Sequence, residues 1–248
     1  MRTHAGYKSC FVLMIAAAFG VIFSVSAVRC EIRDELPEPL VKLPENGNAV
    51  LVEKNTQKLF IWSNRRGKPV KVFEKPCSTG EAPGIKQVSG DKKTPEGVYF
   101  VKDVYEDRYL SPVYGRKAFP TDYPNYLDVR AGRNGSAIWL HGTNKKLKPM
   151  DTNGCIALNN DAVEQLTDFI EMDQTPVIIA NAIQNTEPGV LDKQKNALGK
   201  WLQKWGGAIE SGDYHRYLAF YDPEFLPDMA WWEEWRKLRD KHGDEDGR

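Results

Sequence analysis

The feature that most constrains the fold is a series of short β-like runs, each bounded by turn residues, that begins at Ala49. Val50-Leu51-Val52 is separated by a polar turn from Leu59-Phe60-Ile61-Trp62, a pattern typical of a hairpin. Further β-branched or aromatic runs lie at residues 70–73, 97–101 and 137–140. This spacing predicts a mostly β domain.

One helix and a closing strand complete this region. Asn160-Asp161 is predicted to cap a helix, because apolar residues recur behind it at helical spacing. These residues are Ala162, Val163, Leu166, Phe169 and Ile170. A loop ending at Thr175-Pro176 then leads into a predicted strand at 177–179. The sequence therefore predicts a domain over residues 49–182, with one supporting helix.

The N-terminus predicts export. Arg2 and Lys8 precede an uncharged apolar stretch over 11–28, and small residues follow at 25–27. That order predicts a signal peptide over residues 1–27 and a location in the periplasm or cell envelope. The apolar stretch also reaches the lower limit for crossing a bilayer, so a retained membrane anchor is the alternative. The proline-rich, charged stretch over 28–48 is predicted to be a linker.

Charge and cysteine content give no indication of a nucleic-acid partner or of a metal site. Lys plus Arg and Asp plus Glu both total 34, so no basic excess predicts a nucleic-acid partner. The four cysteines are Cys10, Cys30, Cys77 and Cys155, and none stands in a motif with metal-ligand spacing. Cys10 falls within the predicted signal. Pairing of Cys30 with Cys77 would leave Cys155 free, and the sequence leaves that pairing open.

The last part of the chain has helical character. After Pro188-Gly189, an apolar stripe at helical spacing is predicted to end at Gly206-Gly207. A second helical turn is predicted over 214–221, and tryptophans mark a final amphipathic segment after 230. These features predict a small α-helical region over 190–248.

The residues suited to chemistry are His141 and Cys155. A thiol is mostly protonated at neutral pH, and a nearby histidine can take its proton and return it to a leaving group. Gly142 follows the histidine and Gly154 precedes the cysteine, and glycine permits close backbone approach. The backbone amides of Gly154 and Cys155 are therefore candidates for stabilising an oxyanion.

These motifs together resemble the L,D-transpeptidase catalytic domain, also called the YkuD-like domain. His141-Gly142 and Thr152-Asn153-Gly154-Cys155-Ile156 stand where that family has its His-Gly pair and its Ser/Thr-His-Gly-Cys sequence. Earlier features of the family are matched by Ser78-Thr79-Gly80, by the turn at 90–97 and by residues 122–125.

The resemblance implies a β-sandwich-like fold with a supporting helix, and it implies roles for individual residues. Cys155 would be the nucleophile, His141 the base, and Gly142 the residue whose carbonyl holds the histidine. The oxyanion and substrate-binding positions implied are Gly154, Asn153, Thr152 and Tyr123. The family implies no metal and no organic cofactor.

The resemblance also implies a substrate, the stem peptides of peptidoglycan. The Cys155 thiolate would attack the carbonyl that joins diaminopimelate to a D-amino acid, which leaves a thioester. Transfer to an amine forms a 3-3 crosslink, whereas transfer to water makes the enzyme an L,D-carboxypeptidase. The first step is common to both, so the sequence leaves the acceptor open. The alternative of another class is a non-catalytic peptidoglycan-binding scaffold.

Two departures from the family pattern concern specificity. Asn153 stands where the family often has histidine, and Ala157 where it often has arginine. Similar departures occur in a branch that resembles the L,D-carboxypeptidases of cell-shape pathways, which carry a C-terminal NTF2-like domain. Residues 201–225 resemble the opening helices of such a domain, and the helical region over 190–248 supplies about half of what that fold needs. The helical region is therefore predicted to be a partial NTF2-like region, and a homodimer through it is one way to complete the fold.

Overall fold

The computed structural model describes residues 35–223, 226, 230, 232–234, 236 and 237. The predicted signal peptide over 1–27, the start of the predicted linker, Cys10 and Cys30 lie outside the described residues.

The described chain is mainly β-structure followed by helices. Its strands are β1 (Leu36–Pro37), β2 (Asn48–Glu53), β3 (Lys58–Arg65), β4 (Lys68–Pro76), β5 (Gly97–Phe100), β6 (Tyr105–Glu106), β7 (Lys117–Pro120), β8 (Trp139–Thr143), β9 (Ile156–Asn159), β10 (Pro176–Ala180) and β11 (Asn185–Thr186). Its helices are α1 (Tyr126–Arg130), α2 (Asn160–Gln165), α3 (Pro188–Glu210) and α4 (Tyr214–Leu218), with 3-10 turns at Asp107–Tyr109, Pro112–Tyr114 and Leu166–Asp168.

Two sheets carry the fold. The first has the strand order β4-β3-β2-β10-β5 and is antiparallel except where β10 runs parallel to β2. The second has the order β6-β7-β8-β9, with β8 and β9 parallel. Single bridges from Val101 to Thr121 and from Ser78 to Ala157 connect segments that follow strands of the first sheet to the second. The predicted hairpin is β2 with β3, and the mostly β fold class is confirmed.

The main core lies between the two sheets. Alternation along β3 turns Leu59 and Ile61 inward, and β8 and β9 contribute Leu140 and Ile156 from the opposite side. A smaller core covers the other face of the first sheet and includes Leu51. Strand β2 is therefore covered on both faces, which explains its uninterrupted apolar run.

Helix α2 confirms the predicted supporting helix, with Val163 and Leu166 in the core. The predicted cap differs from the one observed. Asn159 is the N-cap residue and makes no side-chain cap bond, while the Asn160 side chain turns to two other segments. Long-range hydrogen bonds therefore replace the local cap.

The described part of the predicted linker, residues 35–48, packs against the rest of the structure. β1 pairs with β11, and Leu40 and Leu43 are buried in the smaller core. The prolines and charges of this stretch suggested an unpacked chain, but its leucines cover apolar surface on the first sheet.

The predicted helical tail is confirmed as α3 and α4, with one difference. Gly206-Gly207 does not interrupt α3, although each glycine disfavours a helix by about 1 kcal/mol relative to alanine. The next residue, Ala208, is buried with Tyr217 and Trp232, and this packing offsets the low helix propensity. Over the described part of the chain, no helix combines the length and apolar character needed to cross a membrane.

Candidate active site

The site forms on the outer face of the β8–β9 pair. Leu140 pairs with Ile156 and His141 with Ala157, so paired residues of the two strands have their side chains on the same face of the sheet. Leu140 and Ile156 enter the core, while His141 and Ala157 point away from it. Cys155 directly precedes β9, and the same alternation directs it to the side of His141 and Ala157. All three line a cavity of about 400 Å³.

The orientation of His141 is fixed by its neighbour in the chain. Its Nδ1 lies 2.6 Å from the carbonyl oxygen of Gly142. A carbonyl only accepts hydrogen bonds, so Nδ1 carries the proton and Nε2 is left as the basic nitrogen. The Tyr114 ring meets the imidazole edge-on, with ring centroids 5.1 Å apart. Burial lowers the pKa of His141, and its hydrogen bond to Gly142 opposes that shift.

The Cys155 thiol has a defined environment. Its Sγ donates to the carbonyl oxygen of Ala137 at 3.3 Å. Ala137 has a φ of 59°, in the left-handed region that non-glycine residues seldom adopt. Burial raises the pKa of Cys155, while a hydrogen bond from the Trp139 backbone and the positive charge of Lys86 lower it in part.

These two pKa shifts have one consequence. A raised thiol pKa and a lowered imidazole pKa both favour the uncharged forms at neutral pH. Cys155 is therefore held as a thiol and His141 as a neutral imidazole. A neutral imidazole can accept a proton, so the pair is suited to general-base activation of the sulfur at the moment of attack.

Thr152 fixes the backbone around the cysteine. Its Oγ1 donates to the carbonyl oxygen of Cys155 at 2.7 Å and accepts from the Gly154 amide at 3.1 Å. Thr94 reinforces the same loop, because its buried hydroxyl donates to the Gly154 carbonyl at 2.9 Å. The loop is thereby tied to the 90–97 turn, which the sequence indicated only as a family feature.

Gly154 differs in part from its predicted role. Its φ of 127° and the Lys93 carbonyl, 2.7 Å from where a Cβ would lie, explain why glycine occupies this position. Its amide, however, donates to the Thr152 hydroxyl within the structure. Of the two amides predicted to stabilise an oxyanion, that of Gly154 is therefore engaged within its own loop.

Asn160 joins the two walls of the cavity. Its Oδ1 accepts from the Arg116 amide at 3.1 Å, and its Nδ2 donates to Asn144 Oδ1 at 2.8 Å. Asn144 in turn donates to the Pro112 carbonyl at 2.9 Å. A Cβ on Gly142 would collide with Asn160 Oδ1, so this glycine permits the contact. The turn that carries Tyr114 is thereby held beside the histidine.

The predicted site residues separate into two groups. Thr152 and Asn153 line the cavity together with His141 and Cys155. Tyr123 does not: it is 4% exposed, its ring packs on Tyr99, and its hydroxyl donates to the Asn134 carbonyl. The large ring and the hydrogen bond of its hydroxyl to a backbone carbonyl keep Tyr123 in the core. Burial raises the pKa of Tyr123 to about 12.

Sequence reasoning missed several lining residues. Those not predicted as site residues include Ser78, Glu81, Val113, Tyr114, Lys145, Lys146 and Lys148. Ser78 lay within a family motif, which was a usable sequence signal. In the structure its backbone pairs with Ala157 in both directions. The three lysines stand between the His-Gly pair and the cysteine, but position in the loop alone did not indicate which way they face.

The second described cysteine contrasts with the first. Cys77 is a free thiol buried in the main core, and burial raises its pKa to about 12. Cys30, the disulfide partner considered from the sequence, lies outside the described residues. Across the described residues, no group of three His, Cys, Asp or Glu side chains is arranged to hold a metal ion.

Comparison with known proteins gives a consistent result. Residues 47–179 match the L,D-transpeptidase catalytic domain family, YkuD. The structure of Bd1075 from Bdellovibrio bacteriovorus is similar with a TM-score of 0.68 and 29% identity, over 84% of this chain and 77% of that one. The helical cell shape determining protein Pgp2 from Campylobacter jejuni is similar with a TM-score of 0.65 and 29% identity, over 81% of this chain and 71% of that one. No curated protein sequence matches.

Proposed function

Because the chain belongs to the L,D-transpeptidase catalytic domain family, we propose that it is a cysteine acyltransferase of peptidoglycan with Cys155 as nucleophile and His141 as base. The family acts on stem peptides of peptidoglycan, which places its work in the cell envelope. The proposed substrate bond joins diaminopimelate to a D-amino acid.

One observation carries this proposal. The Gly142 carbonyl holds the Nδ1 proton of His141 at 2.6 Å, so the basic Nε2 belongs to a cavity that Cys155 also lines. A backbone carbonyl thus takes the orienting role that an acidic side chain has in many catalytic triads. A groove that only binds peptides needs neither a fixed tautomer nor a thiol beside it.

The first step forms the acyl-enzyme. In this step the Cys155 thiol gives up its hydrogen bond to the Ala137 carbonyl, and His141 takes the proton as sulfur attacks the carbonyl carbon. The Cys155 amide is the candidate donor to the oxyanion. His141 then returns the proton to the amine of the departing D-amino acid, and a thioester remains on sulfur.

The second step gives the thioester to an acceptor. His141 activates either water, which releases a shortened stem peptide, or an amine of a second stem peptide, which forms a 3-3 crosslink. The departures at Asn153 and Ala157 resemble the carboxypeptidase branch and favour water. The similarity to a protein that determines helical cell shape supports a role in shaping the wall.

The test is mass spectrometry of the full chain incubated with purified muropeptides. A carboxypeptidase removes one D-alanine from tetrapeptides, whereas a transpeptidase yields dimers joined between two diaminopimelates. In both cases a short reaction traps a thioester-bound protein of increased mass. Cys155→Ala removes the nucleophile and should abolish product and adduct together.

Cys77→Ala is the matched control. It removes the other described thiol, which is buried away from the cavity, and should leave product formation in place. Muropeptides left unchanged by the wild-type protein, or products that persist in Cys155→Ala, would overturn the proposal. The first result would favour a non-catalytic peptidoglycan-binding scaffold.

A further inference from the structure

Three cationic side chains line the cavity beside the candidate nucleophile. They belong to Lys145, Lys146 and Lys148, on the loop between β8 and Cys155, and all three residues are exposed. Among the described residues, none of their ammonium groups makes an ion pair or a side-chain hydrogen bond. Their charges are therefore available to a ligand in the cavity.

The acidic side chains of the same cavity do not cancel this charge. Glu81 is paired with Lys92 at 2.6 Å, which leaves Asp151 as the other carboxylate of the lining. Ala157 also lines the cavity and brings no charge to β9. The positive charge of the lining thus comes from the loop rather than from the strand that follows the cysteine.

The loop that carries the lysines is anchored at both ends. At its start, Asn144 donates to the Pro112 carbonyl and accepts from Asn160. At its end, the Met150 amide donates to Gln57 Oε1 at 2.9 Å and the Asp151 amide to Ser78 Oγ at 2.9 Å. Leu147 faces the cavity between the lysines and is half-buried. The ammonium groups therefore extend from a backbone that is already positioned.

We propose that this lysine loop is the carboxylate-binding wall of the site and selects stem peptides whose side carboxylates are free over those in which they are amidated. The inference rests on the proposed function and deepens it by naming the substrate class. Ammonium groups attract carboxylates as point charges, whereas a carboxamide offers no charge to them. The charges are exposed, so the selectivity should weaken as salt is added.

The experiment compares two synthetic stem tetrapeptides, one with free side carboxylates and one with these converted to carboxamides. Release of D-alanine gives kcat/KM for each with the full-length protein. The wild type should prefer the carboxylate form by about tenfold, because each exposed pair contributes a few-fold at most. The triple variant Lys145→Gln, Lys146→Gln, Lys148→Gln should lose that preference mainly through KM, and the corresponding triple arginine variant should keep it.

The matched control replaces Lys42, Lys195 and Lys200 by glutamine, since these exposed lysines lie outside the cavity. This variant should keep the preference. Equal turnover of both peptides by the wild type, or an unchanged preference in the Lys145/146/148 variant, would overturn this inference alone. Failure of the wild type to release D-alanine from either peptide would overturn the proposed function and this inference together.

Discussion

The two sheets of this protein are built from the same strand geometry, but they differ in what covers their faces. In the first sheet, β2 is covered on both faces, and its residues from Ala49 to Val52 are fully buried. In the second sheet, β8 and β9 bury one face and present His141 and Ala157 to a cavity on the other. Apolar burial dominates the first sheet, whereas hydrogen bonds position the residues on the cavity-facing side of the second. Stability and chemistry should therefore respond to substitution in different sheets.

The largest expected effect comes from the second sheet. His141→Gln keeps the bulk of the side chain but removes the base, so kcat should fall by roughly 10²- to 10⁴-fold with little change in KM. His215→Gln, an exposed substitution in α4, is the matched control and should leave kcat unchanged. D-alanine release under saturating substrate measures both. A fall of less than tenfold in His141→Gln would assign the base to another group.

A core substitution in the first sheet should show the opposite pattern. Leu51→Ala leaves a cavity beneath the N-terminal segment and should lower the free energy of unfolding by about 2–5 kcal/mol. The activity of the remaining folded protein should stay unchanged. Urea unfolding with parallel kcat measurement tests this, and exposed Leu198→Ala serves as the control. Lost activity with unchanged stability would contradict the expectation that substitutions in the first sheet affect stability and not activity.

A smaller effect is expected where hydrogen bonds hold the loop that leads into Cys155. Thr152→Val keeps the shape but deletes the bonds to the Cys155 carbonyl and from the Gly154 amide. Leaving these groups unpaired should cost about 1–3 kcal/mol, with kcat reduced about tenfold as the sulfur loses its position. Thr152→Ser should restore kcat, which a change in bulk alone would not explain. Thr56→Val, which removes an exposed hydroxyl at the β2–β3 turn, should change neither quantity.

The smallest effect concerns pH. Burial lowers the pKa of His141 below its ordinary value of 6.5, so the imidazole stays neutral into mildly acidic solution. As the pH falls through that lowered pKa, protonation removes the base and the rate declines. The acid limb of kcat/KM should therefore have its midpoint below pH 6.5.

Tyr114 sharpens this pH test, because its ring covers the imidazole. Tyr114→Ala should expose His141 and move the midpoint back toward the ordinary value, whereas Tyr114→Phe should leave it in place. A wild-type midpoint at or above 6.5 would contradict the lowered pKa of His141.

Local pattern was sufficient for much of the fold, whereas the candidate pair was recognised through its resemblance to family motifs. Strand alternation predicted the β2–β3 hairpin and helical spacing predicted α2, while the family motifs pointed to His141 and Cys155. The hairpin and the helix depend on neighbours within a few residues, where periodicity and backbone preference act directly. The uncharged state of the pair could not be inferred, because it arises from burial.

The tertiary structure decided what depends on contacts between distant segments. It buried Tyr123 in the core and placed the lysine loop and Cys155 along the same cavity. It engaged the Asn160 side chain with the Arg116 amide in place of the predicted helix cap. It also packed the predicted linker and carried α3 through Gly206-Gly207. Sequence alone indicated the main strands, the supporting helix and the candidate pair, whereas the partner of each side chain was set by packing that no local period encodes.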